Sequence, residues 1–386
     1  MVRELRLDSF YARLHAAAAA SAADASSPLL ILPSAADADA LCALKVLTHV
    51  LSADSIRFSI YPVASAAAAA SLLASFSASQ PLCLLLINWG AHRDLRAVLP
   101  PAATAFVVDS HRPIHLHNLS AANDRVVVLF TTDDEHTADL SYDFDKRFQY
   151  MSMEVKRKMR DEFDRFLPEY GLTEFYYRSF LRVHGYRSKV SAADVVYGVT
   201  ALLESLNAES KDSKGSSAAE QFWVAYSALS LSNVDQLRKG MQSAIEIQRA
   251  ILRQGSSAIT KTGFIRSAKK FRWVKLDDPV DTDKLCQPQA LTKFCFFLMD
   301  ALRERGARMK PLICACLARE PEKVLVVGVC GKPRLGAVKG NAFGNAFRSA
   351  AEEIGADYFH DMFESSWIVL DVVAVSSFMI RLTEKL

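Results

Sequence analysis

From Pro28 to Phe130, short apolar runs alternate with stretches of helical length and composition. The runs Leu29 to Leu32, Ile56 to Val63, Leu82 to Ile87, Ala105 to Val108 and Val126 to Phe130 are rich in Val, Ile and Leu. That is the pattern of strands buried on both faces of a mostly parallel sheet. Between them, Ala40 to Leu51 and Ala66 to Phe76 carry the Ala and Leu content of helices. An α/β domain is expected over residues 1–145. The alanine stretches Ala16 to Ala20 and Ala66 to Ala70 are low-complexity and are expected to be solvated helix or linker.

The strand pattern stops at Lys146. Amphipathic stretches follow at Phe148 to Phe166, Leu172 to Val183, Ala192 to Leu206, Ala219 to Leu231 and Val234 to Leu252, interrupted by the polar loop Ser210 to Ser217. They predict a helical segment over residues 146–255. Strands return at Ile313 to Leu317, Val324 to Val329 and Ile368 to Val375, with helical patterns at Leu285 to Glu304 and Ala342 to Ile354. A second, smaller α/β domain is therefore expected over residues 256–386.

At 386 residues and 51% hydrophobic composition the chain can bury sizeable cores without staples. Its formal charge is only +3, so a nucleic-acid surface would have to come from local clusters of Lys and Arg. The seven cysteines are scattered and mostly set in apolar runs, which predicts reduced, buried thiols of an intracellular protein. Met1 to Leu14 mixes charges with apolar residues and is followed by alanines, so no export is expected. The apolar runs fall well short of the roughly 18 residues that a membrane span needs.

Open α/β sheets place their sites at the carboxyl ends of strands. There stand Asp37 and Asp39 after the first run, Asn88 after the third, Asp109 and His111 after the fourth, and Asp133 and Asp134 after the fifth. Carboxylates and an imidazole gathered at one sheet edge could hold a hard divalent cation and activate water against a phosphoryl group. Taken alone, each such residue is more often a turn or loop-capping group, and the joint arrangement is what points to a site.

The joint pattern, Asp-x-Asp after the first strand, a polar residue before Gly after the third and Asp-x-His after the fourth, resembles the DHH phosphoesterase superfamily, which includes the RecJ exonucleases. More narrowly, Asp37 to Ala43, Leu86 to Ala91, Asp109 to Pro113, Leu167 to Leu172, His184 to Tyr186, Ser191 to Tyr197 and Asn341 to Phe347 resemble the eukaryotic cell division control protein 45 family. This likeness implies a DHH-like first domain, a DHHA1-like last domain, and a nuclear factor of DNA replication initiation and elongation. It also implies bridging of the minichromosome maintenance helicase ring and the GINS complex, with contact to single-stranded DNA. In the active phosphoesterases, a His four residues before Asp-x-Asp, an Asp at the third strand and the first His of Asp-His-His ligate metal. Here those places hold Pro33, Asn88 and Ser110. Asp37, Asp39, Asp109 and His111 remain as a vestigial set that is expected to hydrogen-bond locally, with no metal, no cofactor and no catalysis. A metal-dependent phosphoesterase or single-strand exonuclease using Asp37, Asp39 and Asp109 is the alternative. The resemblance also implies a long acidic, Ser-rich linker and further helices, yet here Asp143-Phe144-Asp145 runs directly into Lys146-Arg147-Phe148.

Lys261, Arg266, Lys269, Lys270, Arg272 and Lys275 occur without an intervening acid and are interleaved with Phe264, Phe271 and Trp273. Cations for phosphates and aromatics for bases make a single-strand-binding composition; the competing reading puts the aromatics in a core and the charges on a solvated face. Cys314 and Cys316, at period two, are expected in a core, and His115 and His117 as a solvent-facing pair. The loop Gly331 to Arg334, with Lys339 to Asn341 leading into a helix, could meet an anion at that helix N-terminus.

Overall fold

The computed structural model describes residues 3–4, 6–21, 29–76, 81–111, 114–120, 123–129, 154, 158, 165, 172–176, 179–184, 188–205, 214–230, 232–276, 279–330, 342–360, 363 and 366–386. The chain divides into two compact units, residues 1–243 and 244–386.

In the first unit, β1 (Arg3–Glu4), β2 (Leu29–Pro33), β3 (Phe58–Ile60), β4 (Leu82–Ile87), β5 (Ala103–Val108) and β6 (Val126–Leu129) form one sheet in the order β1-β6-β5-β4-β2-β3. Every pairing is parallel. All residues of β2 and β4 are buried, as strands covered on both faces must be. The chain runs outward from β2 to β3 and then crosses back, so the strand order reverses between β2 and β4. A crevice at the carboxyl ends of these two strands is where such sheets place their sites.

Three helices accompany the sheet: α1 (Leu7–Ser21), α2 (Ala38–Ala53) and α3 (Ala66–Ala74). Both alanine stretches lie in helices with a buried stripe, and they are neither linker nor fully solvated. Phe10, Leu14 and Ala18 recur every four residues along α1 and face the core, and Ala69 and Leu73 do so in α3. Ser65 caps α3 by accepting a hydrogen bond from the Ala68 N–H.

The stretch Leu172 to Val183, expected to be helical, instead forms strands β7 (Leu172–Tyr176) and β8 (Ser179–His184), joined by β9 (Ser188–Ser191) in an antiparallel sheet. Its aromatic and β-branched residues favour the extended chain, and Tyr176 pairs with Ser179 across a two-residue connection. The expected helix Phe148 to Phe166 lies almost entirely outside the described residues. Helices α4 (Ala192–Leu203) and α5 (Lys214–Ala228) follow, and Val199, Leu202, Phe222 and Ala225 join the same core as α2. The Lys45 ammonium sits 4.4 Å from the Tyr226 ring centroid, and Thr48 bonds the Tyr226 hydroxyl at 3.2 Å. Helix α6 (Val234–Thr260) ends the segment.

The second unit is a six-stranded mixed sheet ordered β10 (Arg266–Ser267), β11 (Arg272–Leu276), β12 (Leu312–Leu317), β13 (Lys323–Val329), β15 (Trp367–Asp371), β14 (Tyr358–Phe359). Alternation along β12 sends Leu312, Cys314 and Cys316 to one core and Ile313 and Ala315 to the other. The first core is closed by α8 (Pro288–Glu304), which α7 (Pro279–Leu285) precedes; the second is closed by α9 (Ala342–Glu353) and α10 (Val375–Lys385). The apolar run Ile368 to Val375 is not one strand. After Asp371 it turns through a single 3-10 turn into α10, whose Val375, Phe378, Met379 and Leu382 are buried at helical spacing. Cys83, Cys286, Cys295, Cys314 and Cys316 are buried, and Cys42 and Cys330 are exposed. Both six-stranded sheets end on edge strands of two or three residues. Among the described residues no helix is long and apolar enough to cross a membrane.

Candidate functional site

The residues singled out at the carboxyl ends of β2, β4 and β5 do come together, in two small groups. In the first, Asp37 is the N-cap of α2, and its carboxylate accepts from the Asp39 N–H at 2.8 Å. The Asn88 side-chain amide donates to the other oxygen of the same carboxylate. Its carbonyl oxygen in turn accepts from the Ser110 hydroxyl at 2.8 Å. Asn88 thus links Asp37 to Ser110 as a neutral wedge. Burial pushes the Asp37 carboxyl above its ordinary value, and the hydrogen bonds from the Asp39 and Asn88 amides only partly oppose this. Asp39, in the first turn of α2, is exposed and favourably placed against the helix dipole.

The second group centres on Asp109, whose side chain is fully buried. One oxygen accepts from the Ala91 N–H at 2.8 Å; the other accepts from the His111 N–H at 3.0 Å and meets His111 Nδ1 at 2.7 Å. Burial alone would raise this carboxyl, but the His111 and His92 imidazoles and the His111 amide outweigh burial and hold it well below the usual carboxylate range. His111→Ala should therefore destabilise the first unit by about 1–3 kcal/mol. Because the Asp109 pKa is depressed, its contribution is full above the ordinary value of 3.8 and fades as pH falls below that toward the folded value. Denaturation of wild type, His111→Ala and Asp109→Asn across acid pH checks both points: His111→Ala should melt below wild type at neutral pH, the gap between wild type and Asp109→Asn should close in acid, and a pH-independent gap would contradict the assignment.

Sequence reasoning singled out Asn88 but missed the parts that Trp89, His92 and Asn118 play in the turn after β4. Asn88 is left-handed at φ 58° and Gly90 at φ 103°; asparagine and glycine tolerate that region better than other residues. Trp89, between them, is fully buried and donates Nε1–H to the Leu32 carbonyl at 2.7 Å. Asn118, also fully buried, donates its amide to the carbonyls of Gly90, Ala91 and Arg93 and accepts from the Leu95 N–H. His92 stands beside Asp109 and His111, its Nδ1 4.0 Å from Asp109 Oδ2. The Asn88-Trp89-Gly90 run directly after a buried strand is the sequence signal that could have pointed to this turn. Asp133 and Asp134 lie outside the described residues.

The basic stretch belongs to the second unit. Lys261, Arg266, Lys269 and Lys270 are exposed, while Arg272 and Lys275 are half-buried. Phe271 is core, and the Arg266 guanidinium lies 4.7 Å from the Trp273 ring centroid, covering it. The cations thus face solvent, while two of the three aromatics are committed elsewhere. Cys314 and Cys316 sit in the core as expected. His115 is half-buried and His117 exposed, with rings 5.3 Å apart. The anion-site loop, residues 331–341, lies outside the described residues.

The CDC45 family model matches residues 29–147 and 143–385, two blocks that overlap at residues 143–147. The chain is 32% identical over 234 residues to a cell division control protein 45 homolog of Dictyostelium discoideum, covering 61% of this chain and 36% of that protein. It is 29% identical over 252 residues to the Schizosaccharomyces pombe homolog, covering 57% and 39%, and 27% identical over 240 residues to the human homolog, covering 61% and 41%. These matches span about two-fifths of the relatives' length. The crystal structure of CDC45 from Entamoeba histolytica superposes with a TM-score of 0.67 at 14% identity, covering 98% of both chains. A structure of the exonuclease RecJ bound to manganese has a TM-score of 0.48 at 13% identity, covering 96% of this chain and 93% of that one.

The residues gathered here do not fit a two-metal hydrolytic centre. Such a centre holds its ions about 3.5–4 Å apart on shared anionic ligands. Here Pro33 offers no side-chain donor, Asp37 is engaged by a helix cap, and the Asn88 amide occupies its outer oxygen.

Proposed function

Because the chain belongs to the CDC45 family, we propose that it is a non-catalytic DNA-replication factor of the nucleus, a scaffold subunit that bridges the minichromosome maintenance ring and GINS. The single observation that carries the non-catalytic part is the Asn88 wedge. A neutral amide hydrogen-bonded to both Asp37 and Ser110 takes the position where an anionic ligand and a cation would have to meet. Contact with single-stranded DNA falls to the exposed cations Lys261, Arg266, Lys269 and Lys270, acting on phosphates more than through base stacking, since Phe271 is buried and Trp273 is covered. The competing reading, a metal-dependent phosphoesterase, would require Asp37, Asp39 and Asp109 to share ions. Asp37 instead caps α2 through the Asp39 N–H and is held by the Asn88 amide, so the three carboxylates do not share a pair of ions.

The experiment has two arms. With manganese or magnesium present, the purified chain should leave single-stranded DNA intact; digestion that disappears in Asp37→Ala would overturn the non-catalytic reading. In the second arm, the chain competes with a relative carrying the family's intervening region for a limited amount of helicase ring and GINS. Capture of this chain should be reduced but not abolished, because a few buried anchors dominate an interface and only part of it is missing. No capture at all would sink the scaffold role.

A further inference from the structure

We propose that His92, Asp109 and His111 form a binding site for a single divalent metal of the zinc type, in which His92, outside the phosphoesterase-like motifs, joins Asp109 and His111. One donor atom from each can be chosen so that all three lie within 4.8 Å of one another. The two imidazole rings stand 5.3 Å apart, inclined at 49°. His111 Nδ1 is 2.7 Å from one Asp109 oxygen and His92 Nδ1 4.0 Å from the other. Zinc bonds of about 2.0–2.2 Å place tetrahedral donors roughly 3.4 Å apart, so side-chain rotations of a fraction of an ångström to one ångström close the set.

A second, independent observation is the state of His92. Its Nδ1 is shut off from solvent and has no hydrogen-bond partner, a condition that buried polar atoms rarely keep. It is turned toward the carboxylate, and 4.0 Å is too long for a hydrogen bond. A cation between the two would satisfy both. Two imidazoles and one carboxylate favour a borderline ion such as zinc over magnesium, which prefers oxygen ligands.

The surroundings meet the requirements of such a site. The Ala91 and His111 amides fix the orientation of the Asp109 carboxylate, as groups behind a metal ligand do. The His92 and His111 side chains are 20% and 27% exposed, which gives an ion entry from solvent, while that of Asp109 is fully buried. Three protein donors leave a fourth position for water. Arg93 is the opposing group: its Nε lies 3.4 Å from His92 Nε2. Ligation through Nδ1 leaves the ring proton on Nε2, so Arg93 must swing away and its charge works against the ion.

The test is zinc titration of the full chain by calorimetry, with zinc-edge X-ray absorption on the loaded wild type. One zinc per chain is expected, with two imidazoles in its shell. Affinity should fall at least about 10- to 100-fold in His92→Gln and in His111→Gln, tighten in Arg93→Ala, and stay unchanged in Asp37→Asn and His117→Gln. Absence of stoichiometric binding, equal affinity in His92→Gln, or a shell without imidazole would overturn the proposal. The absorption measurement decides even where a variant fails to fold. Zinc binding without DNA cleavage leaves the scaffold reading intact, and loss of zinc binding leaves it equally untouched.

Discussion

Trp89→Ala is expected to destabilise the first unit by about 3–5 kcal/mol, the range for deleting a buried aromatic, which lowers its unfolding temperature by roughly 10 °C. The side chain is fully buried, and it is fastened at the far end by the Nε1–H bond to the Leu32 carbonyl. Two losses therefore combine, a cavity beneath the turn and an unsatisfied carbonyl at the end of β2. Trp89→Phe separates them: most of the volume stays, the hydrogen bond goes, and the expected cost drops to about 1–3 kcal/mol. Thermal melts followed by near-ultraviolet circular dichroism would give the ranking. If Trp89→Ala melted with the wild type, the indole would not anchor the turn, and the positions of Asn88 and His92 would need another cause.

Asn118 carries the second large effect. Its amide nitrogen, with two N–H groups, serves three carbonyls at 3.0, 3.1 and 2.6 Å, and its oxygen accepts from the Leu95 N–H. Alanine leaves these groups buried without that partner, at an expected cost of about 2–4 kcal/mol. Aspartate keeps the shape but places an acceptor against three acceptors, so Asn118→Asp should be the worse of the two. Hydrogen exchange would read the effect locally, at the Leu95 amide. An Asn118→Asp protein as stable as Asn118→Ala would refute the donor role.

How far these features could be read from the chain depends on how local their causes are. The parallel sheet was legible because Leu29 to Pro33 and Leu82 to Ile87 are continuous short apolar runs, and a strand covered on both faces is the element that needs no polar side in so few residues. Asp37, Asn88, Asp109 and His111 were legible because strand ends converge at a reversal of strand order. Their pairing was not: only the fold sets the Asn88 amide between Asp37 and Ser110. His92 and Asn118 stayed hidden because each acts on partners distant in the chain, Asp109 and His111 for His92 and the Gly90 to Leu95 backbone for Asn118, and neither sits in a motif. The Leu172 to Val183 stretch carries apolar residues that fit both a helical and an extended period, so a short-range contest between propensities decides it. At Val372 to Val375 the run stayed apolar while the backbone turned from strand to helix. Hydrophobicity alone carries no mark of that turn.

The short margins of the two large sheets bear on how other molecules can attach. A guest peptide that adds itself as a strand needs a row of open N–H and C=O groups along a sheet margin. Among the described residues, the outermost strands are Arg3–Glu4 and Phe58–Ile60 on one sheet, and Arg266–Ser267 and Tyr358–Phe359 on the other. Such margins offer too few rungs to template a neighbour, which guards these sheets against runaway self-stacking. Attachment to these two sheets must then be read by side chains and helix faces, where single substitutions can tune or abolish a contact without unravelling the host.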